Sequence, residues 1–181
     1  MVMEKKNGRI LVRMEEIVPA AAELRAGDPI LLSGVIYTAR DAAHKRLNAM
    51  LDKGEPLPFP LRGSAIYYAG PTPAPEGFPI GSCGPTTSSR MDVYTPRLLD
   101  LGLTAMIGKG GRSPQVQEAV CRNKAVYLCA IGGAGALAAQ AVRSAEVVAF
   151  EDLGCESVKR LVVEDFPLIV GIDCAGGSLF R

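Results

Sequence analysis

Branched aliphatic residues cluster in two segments near the amino end, residues 9–14 (Arg-Ile-Leu-Val-Arg-Met) and 29–37 (Pro-Ile-Leu-Leu-Ser-Gly-Val-Ile-Tyr). Both are bounded by Gly or Pro, and this pattern predicts strands. The spacing then turns helical. Ala42, Leu47, Met50 and Leu51 supply an apolar face, Thr38 stands where a cap would, and Asp41 takes the acidic third position. Gly54 ends the predicted helix, and Pro56, Pro58 and Pro60 prevent its resumption.

Residues 64–69 (Ser-Ala-Ile-Tyr-Tyr-Ala) form a further predicted strand, followed by a loop rich in Pro and Gly. Thr95-Pro96 and Ser113-Pro114 each place a capping residue before a proline, which predicts helix starts. Ala105-Met-Ile between them reads as a short buried strand. Beyond Val126 the pattern gives strands at 126–131, 146–150, 160–165 and 168–173, with a small-residue helix from Gly135 to Val142 and a closing turn from Asp173. Strands mixed with helices predict an α/β (mixed α+β) domain with a central sheet. The segments flanking the Pro/Gly loop are each too short to bury a core alone, so the 181 residues are expected to form a single domain.

Composition narrows the functional classes. Hydrophobic residues make up 48% and charged residues 22%, as in ordinary globular proteins. The net charge of +1 is spread along the chain, which gives no support for nucleic acid or an anionic membrane as partner. No apolar run has the length of a membrane span, and the first residues lack the apolar core of a signal peptide, so a cytoplasmic protein is expected. The five cysteines (Cys83, Cys121, Cys129, Cys155, Cys174) are widely spaced and mostly lie beside apolar residues, which reads as buried, reduced thiols. With no C-x-x-C pair and one histidine, the chain has no self-contained metal or cluster motif.

Three segments place cations or hydroxyls beside a loop or helix start. Arg40, in Thr38-Ala-Arg-Asp-Ala-Ala-His44, falls in a first helical turn, where the macrodipole disfavours a cation; it calls for an acidic partner or an anionic ligand. In Gly84-Pro-Thr-Thr-Ser-Ser-Arg-Met-Asp92, a tight turn precedes four hydroxyls and Arg90, a combination that suits a carboxylate or phosphate as well as a plain helix cap. Gly108-Lys-Gly-Gly-Arg-Ser113 presents Lys109 after a buried strand but lacks phosphate-loop spacing. Gly133, Gly135 and Ala138 satisfy a relaxed G-x-G-x-x-A pattern, yet they come late in the chain with no second nucleotide-binding half after them. Two arginines, a lysine and a hydroxyl-rich turn suit a small dicarboxylate, while no nucleophile–base arrangement is discernible. The pattern is that of half an active site.

In order, Leu-Leu-Ser-Gly-Val-Ile-Tyr-Thr-Ala-Arg-Asp-Ala-Ala-His-Lys-Arg, Gly-Pro-Thr-Thr-Ser-Ser-Arg-Met-Asp, Ile-Gly-Lys-Gly and Val-Glu-Asp-Phe-Pro-Leu-Ile-Val-Gly-Ile-Asp closely resemble the β subunit, or equivalent C-terminal domain, of class I fumarase and L-tartrate dehydratase. The resemblance runs from about Gly27 to Phe180, and residues 1–7 are expected to be frayed. It implies a swivelling β/β/α domain. It also implies an α subunit whose three Cys ligands hold a [4Fe–4S] cluster, with an α2β2 heterotetramer as the family's assembly. The cysteines of this chain would then not be cluster ligands, and it would bind no metal. Carried over by motif, the resemblance puts Arg40, Arg90 and Lys109 at substrate carboxylates and gives Thr86 the proton transfer at the substrate carbon. Asp41 is expected to orient Arg40, with His44 and Thr87 lying behind the residues that touch substrate. The implied reaction is hydration of fumarate to malate. The alternatives are dehydration of tartrate to oxaloacetate and a non-catalytic anion-binding or assembly module.

Overall fold

Two long strands carry the molecule, and the other elements are ordered around them. The computed structural model describes residues 3–130 and 135–180. In chain order the elements are β1 (Lys5–Lys6), β2 (Arg9–Arg13), α1 (Ile17–Glu23), β3 (Pro29–Thr38), α2 (Asp41–Asp52), β4 (Ala65–Tyr67), α3 (Thr95–Asp100), β5 (Ala105–Gly108), α4 (Pro114–Arg122), β6 (Val126–Cys129), α5 (Gly135–Gln140), β7 (Val142–Ala149) and β8 (Val158–Ile172). Strands β3 and β8 run antiparallel from the Pro29–Ile169 pair to the Tyr37–Arg160 pair. Parallel pairing links β3 to β4, β4 to β5 and β5 to β6, and β6 pairs antiparallel with β8. The ladder β3–β4–β5–β6–β8 therefore returns to β3, while β1 and β2 extend one flank and β7 the other. This mixed α/β arrangement matches a swivelling β/β/α domain.

The period of two along the strands separates two apolar clusters. Ala65, Tyr67 and Ala69 point into one cluster with Ile30, Leu32, Ile36, Ile107, Leu128 and Leu161. Ile66 and Tyr68 point the other way, joining Met106 and Tyr127 against Ala43 and Leu47 of α2, Leu98 and Leu99 of α3, and Val116 and Val120 of α4. Every one of these side chains is at least 98% buried, at about 25 cal/mol per Å² of apolar area removed from water.

The structure departs from the sequence pattern at identifiable places. The two strands expected at 160–165 and 168–173 are one strand of 15 residues. A bulge between Leu32 and Gly34 on β3 sets Glu164 and Asp165 opposite Ser33, and Asp165 takes φ 51° there, so the Asp165-to-Pro167 stretch bends the strand without ending it. Residues 5–7 are not frayed. Lys6 pairs with Arg9 across Asn7 (φ 51°) and Gly8 (φ 77°), an Asn-Gly hairpin. Helix α1, which the strand pattern does not predict, buries Ile17, Ala20 and Ala21 on one face at helical spacing. Strand β7 begins at Val142, earlier than expected, because α5 stops at Gln140.

Two of the expected caps fail. Thr38 ends β3, and its hydroxyl accepts from Lys159 N (3.1 Å) and meets Ser157 O (3.3 Å), which leaves it no part in capping α2. Thr95 Oγ1 turns back to Met91 O at 2.9 Å. Ser113 does cap α4, its hydroxyl accepting from Val116 N. Helix α2 buries Ala43, His44 and Leu47, with Ala42 and Met50 only half-buried. The cysteines are free but not uniformly buried: Cys83 is buried, Cys155 is exposed, and the other three are intermediate. No helix among the described residues is long and apolar enough to cross a membrane.

Candidate active site

Parallel strands β3, β4 and β5 end at one edge, where Thr38, Tyr67 and Ile107 are level in the ladder. In sheets with parallel strands this carboxyl edge is where ligands bind. Arg40 lies two residues past the end of β3, with extended backbone (φ −110°, ψ −160°), and α2 starts directly after it. Its Nε lies 3.8 Å from Glu156 Oε1, close enough for an ion pair but without a hydrogen bond, so both buried atoms lack a hydrogen-bond partner. The rest of the side chain lies on Gly70. A Cβ at that position would fall 3.1 Å from both Arg40 Cδ and Nη1, so the absence of a side chain there makes room for the guanidinium.

The hydroxyl-rich segment is laid between the ends of β4 and β5. Pro85 bridges Ala69, Thr86 N donates to Tyr68 O at 2.7 Å, and Thr87 bridges Lys109. Ser88 N donates to Lys109 O at 3.0 Å, and Lys109 N returns the bond to Ser88 Oγ at 3.0 Å. Thr86 and Lys109 are thereby fixed through their backbones while Lys109 itself stays exposed. Within the Ser88–Met91 turn, Arg90 Nε donates to Asp41 Oδ1 at 3.0 Å, tying this segment to the first turn of α2.

A buried ion pair anchors the same segment from below. Arg112 Nε donates to Asp92 Oδ1 at 2.6 Å, and the other carboxylate oxygen accepts from Ser113 N at 2.6 Å. The Arg112 side chain is fully buried between the Tyr68 and Tyr127 rings, at 5.1 and 4.9 Å, and its Nη2 reaches Thr95 Oγ1 at 2.9 Å. With each of its three nitrogens directed at a buried partner, Arg112 is structural and takes no direct part at the exposed edge.

The fold thus brings Arg40, Thr86, Arg90 and Lys109 to one edge of the sheet. Asp41 does not orient Arg40 as expected; it holds Arg90. Thr87 is exposed, and its backbone pairs with that of Lys109, so it does not lie behind the site. His44 does lie beneath it. Its Nδ1 is 2.8 Å from Arg40 O, and since a carbonyl only accepts, Nδ1 carries the proton and Nε2 is left buried without a partner. Burial lowers its pKa to about 4, opposed by that hydrogen bond, so the ring is neutral at neutral pH.

Ser88, Glu156, Asp92 and Arg112 were not singled out by the sequence pattern. Ser88 falls within the hydroxyl run, and Asp92 and Arg112 within the motifs on either side, whereas Glu156 has no local signal at all. Among the described residues no three His, Cys, Asp or Glu side chains converge as ligands of one metal ion would. The Gly132–Gly135 run falls largely outside the described residues. Three cations face two carboxylates at the edge, leaving a formal surplus of positive charge and an adjacent hydroxyl. The arrangement suits a small dianion.

A family model described as Fumarase C-terminus matches residues 2–181. The chain is 39% identical over 170 residues to "Fumarate hydratase class I, anaerobic" of Escherichia coli, covering 93% of this chain and 31% of that protein. It spans about a third of the length of such relatives. Against the "Putative L(+)-tartrate dehydratase subunit beta" of Methanocaldococcus jannaschii it is 40% identical over 165 residues, covering 88% of this chain and 85% of the relative. The corresponding figures for the Escherichia coli "L(+)-tartrate dehydratase subunit beta" are 37% over 162 residues, 87% and 79%. With a family model spanning nearly the whole chain, the chain belongs to the fumarase C-terminus family.

Proposed function

We propose that this chain is the substrate-gripping β subunit of a class I fumarate hydratase, interconverting fumarate and malate together with a separate α subunit. The convergence of Arg40, Thr86, Arg90 and Lys109 at the carboxyl edge of parallel strands carries the proposal. Arg40, Arg90 and Lys109 hold the two carboxylates of the substrate, fixing its carbons relative to Thr86. In hydration the Thr86 hydroxyl gives a proton to one alkene carbon while hydroxide from a water adds to the other, and the proton that water sheds restores the Thr86 hydroxyl; in dehydration that hydroxyl gives up its proton to the departing hydroxide, and the alkoxide takes the proton from carbon. A threonine alkoxide is a strong base that is costly to form, and the cations beside Thr86 lower that cost. A [4Fe–4S] cluster held by three Cys of the α subunit would supply a Lewis acid for the substrate hydroxyl and carboxylate. An α2β2 heterotetramer is the assembly proposed.

A tartrate dehydratase is the second reading, favoured by the tartrate dehydratase β subunits that match over most of their own length. The carboxylate grip serves either substrate. Anaerobic co-expression with the α subunit, assayed side by side on fumarate, malate and tartrate, separates the two. In that complex Arg90→Ala is expected to lower turnover at least about a hundredfold with the fold intact. Near-wild-type turnover would remove Arg90 from the site, and no turnover on any of the three substrates by the wild-type complex would remove the function.

A further inference from the structure

We infer that Glu156 is a positioning residue for Arg40, holding the guanidinium at its Nε edge so that the Nη1/Nη2 fork is presented to a substrate carboxylate. The inference rests on the dicarboxylate site proposed above.

Both arginines of the edge turn Nε toward a carboxylate. Arg90 donates through Nε to Asp41, and Arg40 turns its Nε toward Glu156. Among the described residues neither arginine makes a hydrogen bond through its Nη atoms, the pair that matches a carboxylate in bidentate fashion. Gripping an arginine at Nε therefore fixes the plane of the guanidinium without occupying the fork. The Arg40–Glu156 contact is the looser of the two, 3.8 Å against 3.0 Å, and leaves both buried atoms without a hydrogen-bond partner. Such a pair closes by a small side-chain movement when a dianion draws the guanidinium into place.

The segment carrying Glu156 is built to stay put. Arg46 of α2 grips Asp152 through two nitrogens, at 2.7 and 2.5 Å, tying the Glu151–Glu156 turn to the helix that follows Arg40. On the other side Lys159 Nζ gathers Gly154 O and Cys155 O at 3.2 Å and Ser157 Oγ at 2.7 Å. Desolvation lowers the pKa of that amine, so its three bonds replace lost water. Phe150 (φ 57°) and Gly154 (φ 59°) bend the turn so that Glu156 faces Arg40 and Cys155 O lies beside Gly70. The turn thereby fixes where the Glu156 side chain starts, and a carboxylate on a fixed segment can orient its partner, where a mobile surface acid would only neutralise it.

Two measurements test the inference. In ¹⁵N-arginine spectra of the full-length chain, Glu156→Gln is expected to shift the Arg40 Nε–H resonance and speed its exchange, leaving that of Arg90 in place. An unchanged Arg40 resonance overturns the pairing whatever the chain's activity. In the reconstituted complex, Glu156→Gln is expected to raise KM for the dicarboxylate about tenfold with kcat within about twofold, and Glu156→Asp to restore part of the loss. An unaltered KM in an active complex overturns the positioning role alone. A wild-type complex inactive on every dicarboxylate overturns the functional reading, and the role in substrate binding with it.

Discussion

His44 is tied to a carbonyl at Nδ1 and sealed from water at Nε2, which makes its proton affinity a property of the fold. Burial drops its pKa from 6.5 to about 4. Between those values the unfolded chain takes up a proton that the native chain refuses, so this contribution is complete above pH 6.5 and is lost as pH falls toward 4. The full effect is about 3 kcal/mol. Urea unfolding of the wild type and of His44→Asn at pH 7 and pH 4.5 checks it. The variant should lose about 2 kcal/mol less over that interval, and equal losses would mean that His44 is not the titrating group. Motif order alone singled out Arg40, Thr86, Arg90 and Lys109. It did not supply their partners. A sequence shows that an arginine at a helix start requires a counter-charge, but Asp41 lies beside Arg40 in the chain and still serves Arg90, because the turn of α2 directs its carboxylate across to the neighbouring segment. Glu156 reaches Arg40 only because β8 brings its preceding turn back alongside β3.

Individual elements behave as their local chemistry dictates until packing intervenes. Ser113-Pro114 starts a helix as a Ser-Pro pair should, since nothing else competes for the serine hydroxyl. Thr38 and Thr95 have the same capping potential, but buried neighbours claim their hydroxyls first. Strand β5 and the hydroxyl-rich segment meet most tightly at Gly108. A Cβ there would lie 1.9 Å from Ser88 Oγ and 2.8 Å from a Tyr68 ring carbon. Gly108→Ala is therefore expected to destabilise the protein by about 1–3 kcal/mol through overpacking and to displace Ser88 and the Thr86 backbone next to it. Thermal unfolding combined with turnover of the reconstituted complex checks this: activity should fall below about a tenth of wild type even at temperatures where the variant is fully folded. A stable, fully active variant would show that the segment can move without cost to the site.

At the scale of the whole molecule, the cysteines stand on unconnected elements: Cys83 in the loop after β4, Cys121 on α4, Cys129 on β6, Cys155 in the turn before β8, and Cys174 beyond it. Anaerobic reconstitution of the purified chain with iron and sulfide is expected to leave no cluster absorbance, and a cluster forming on the chain alone would overturn the division of labour proposed here. Periodicity and turn residues determined most of the strands, the helix starts at Asp41 and Pro114, the mixed α/β class and the segments carrying the site cations, because each of these depends on neighbours within a few residues. Tertiary structure alone decided three matters: that β8 is a single bulged strand closing the ladder onto β3, that Asp41 serves Arg90, and that Glu156 faces Arg40. Each depends on chain segments far apart in sequence, and a local pattern records which groups need a partner without recording which partner the topology brings.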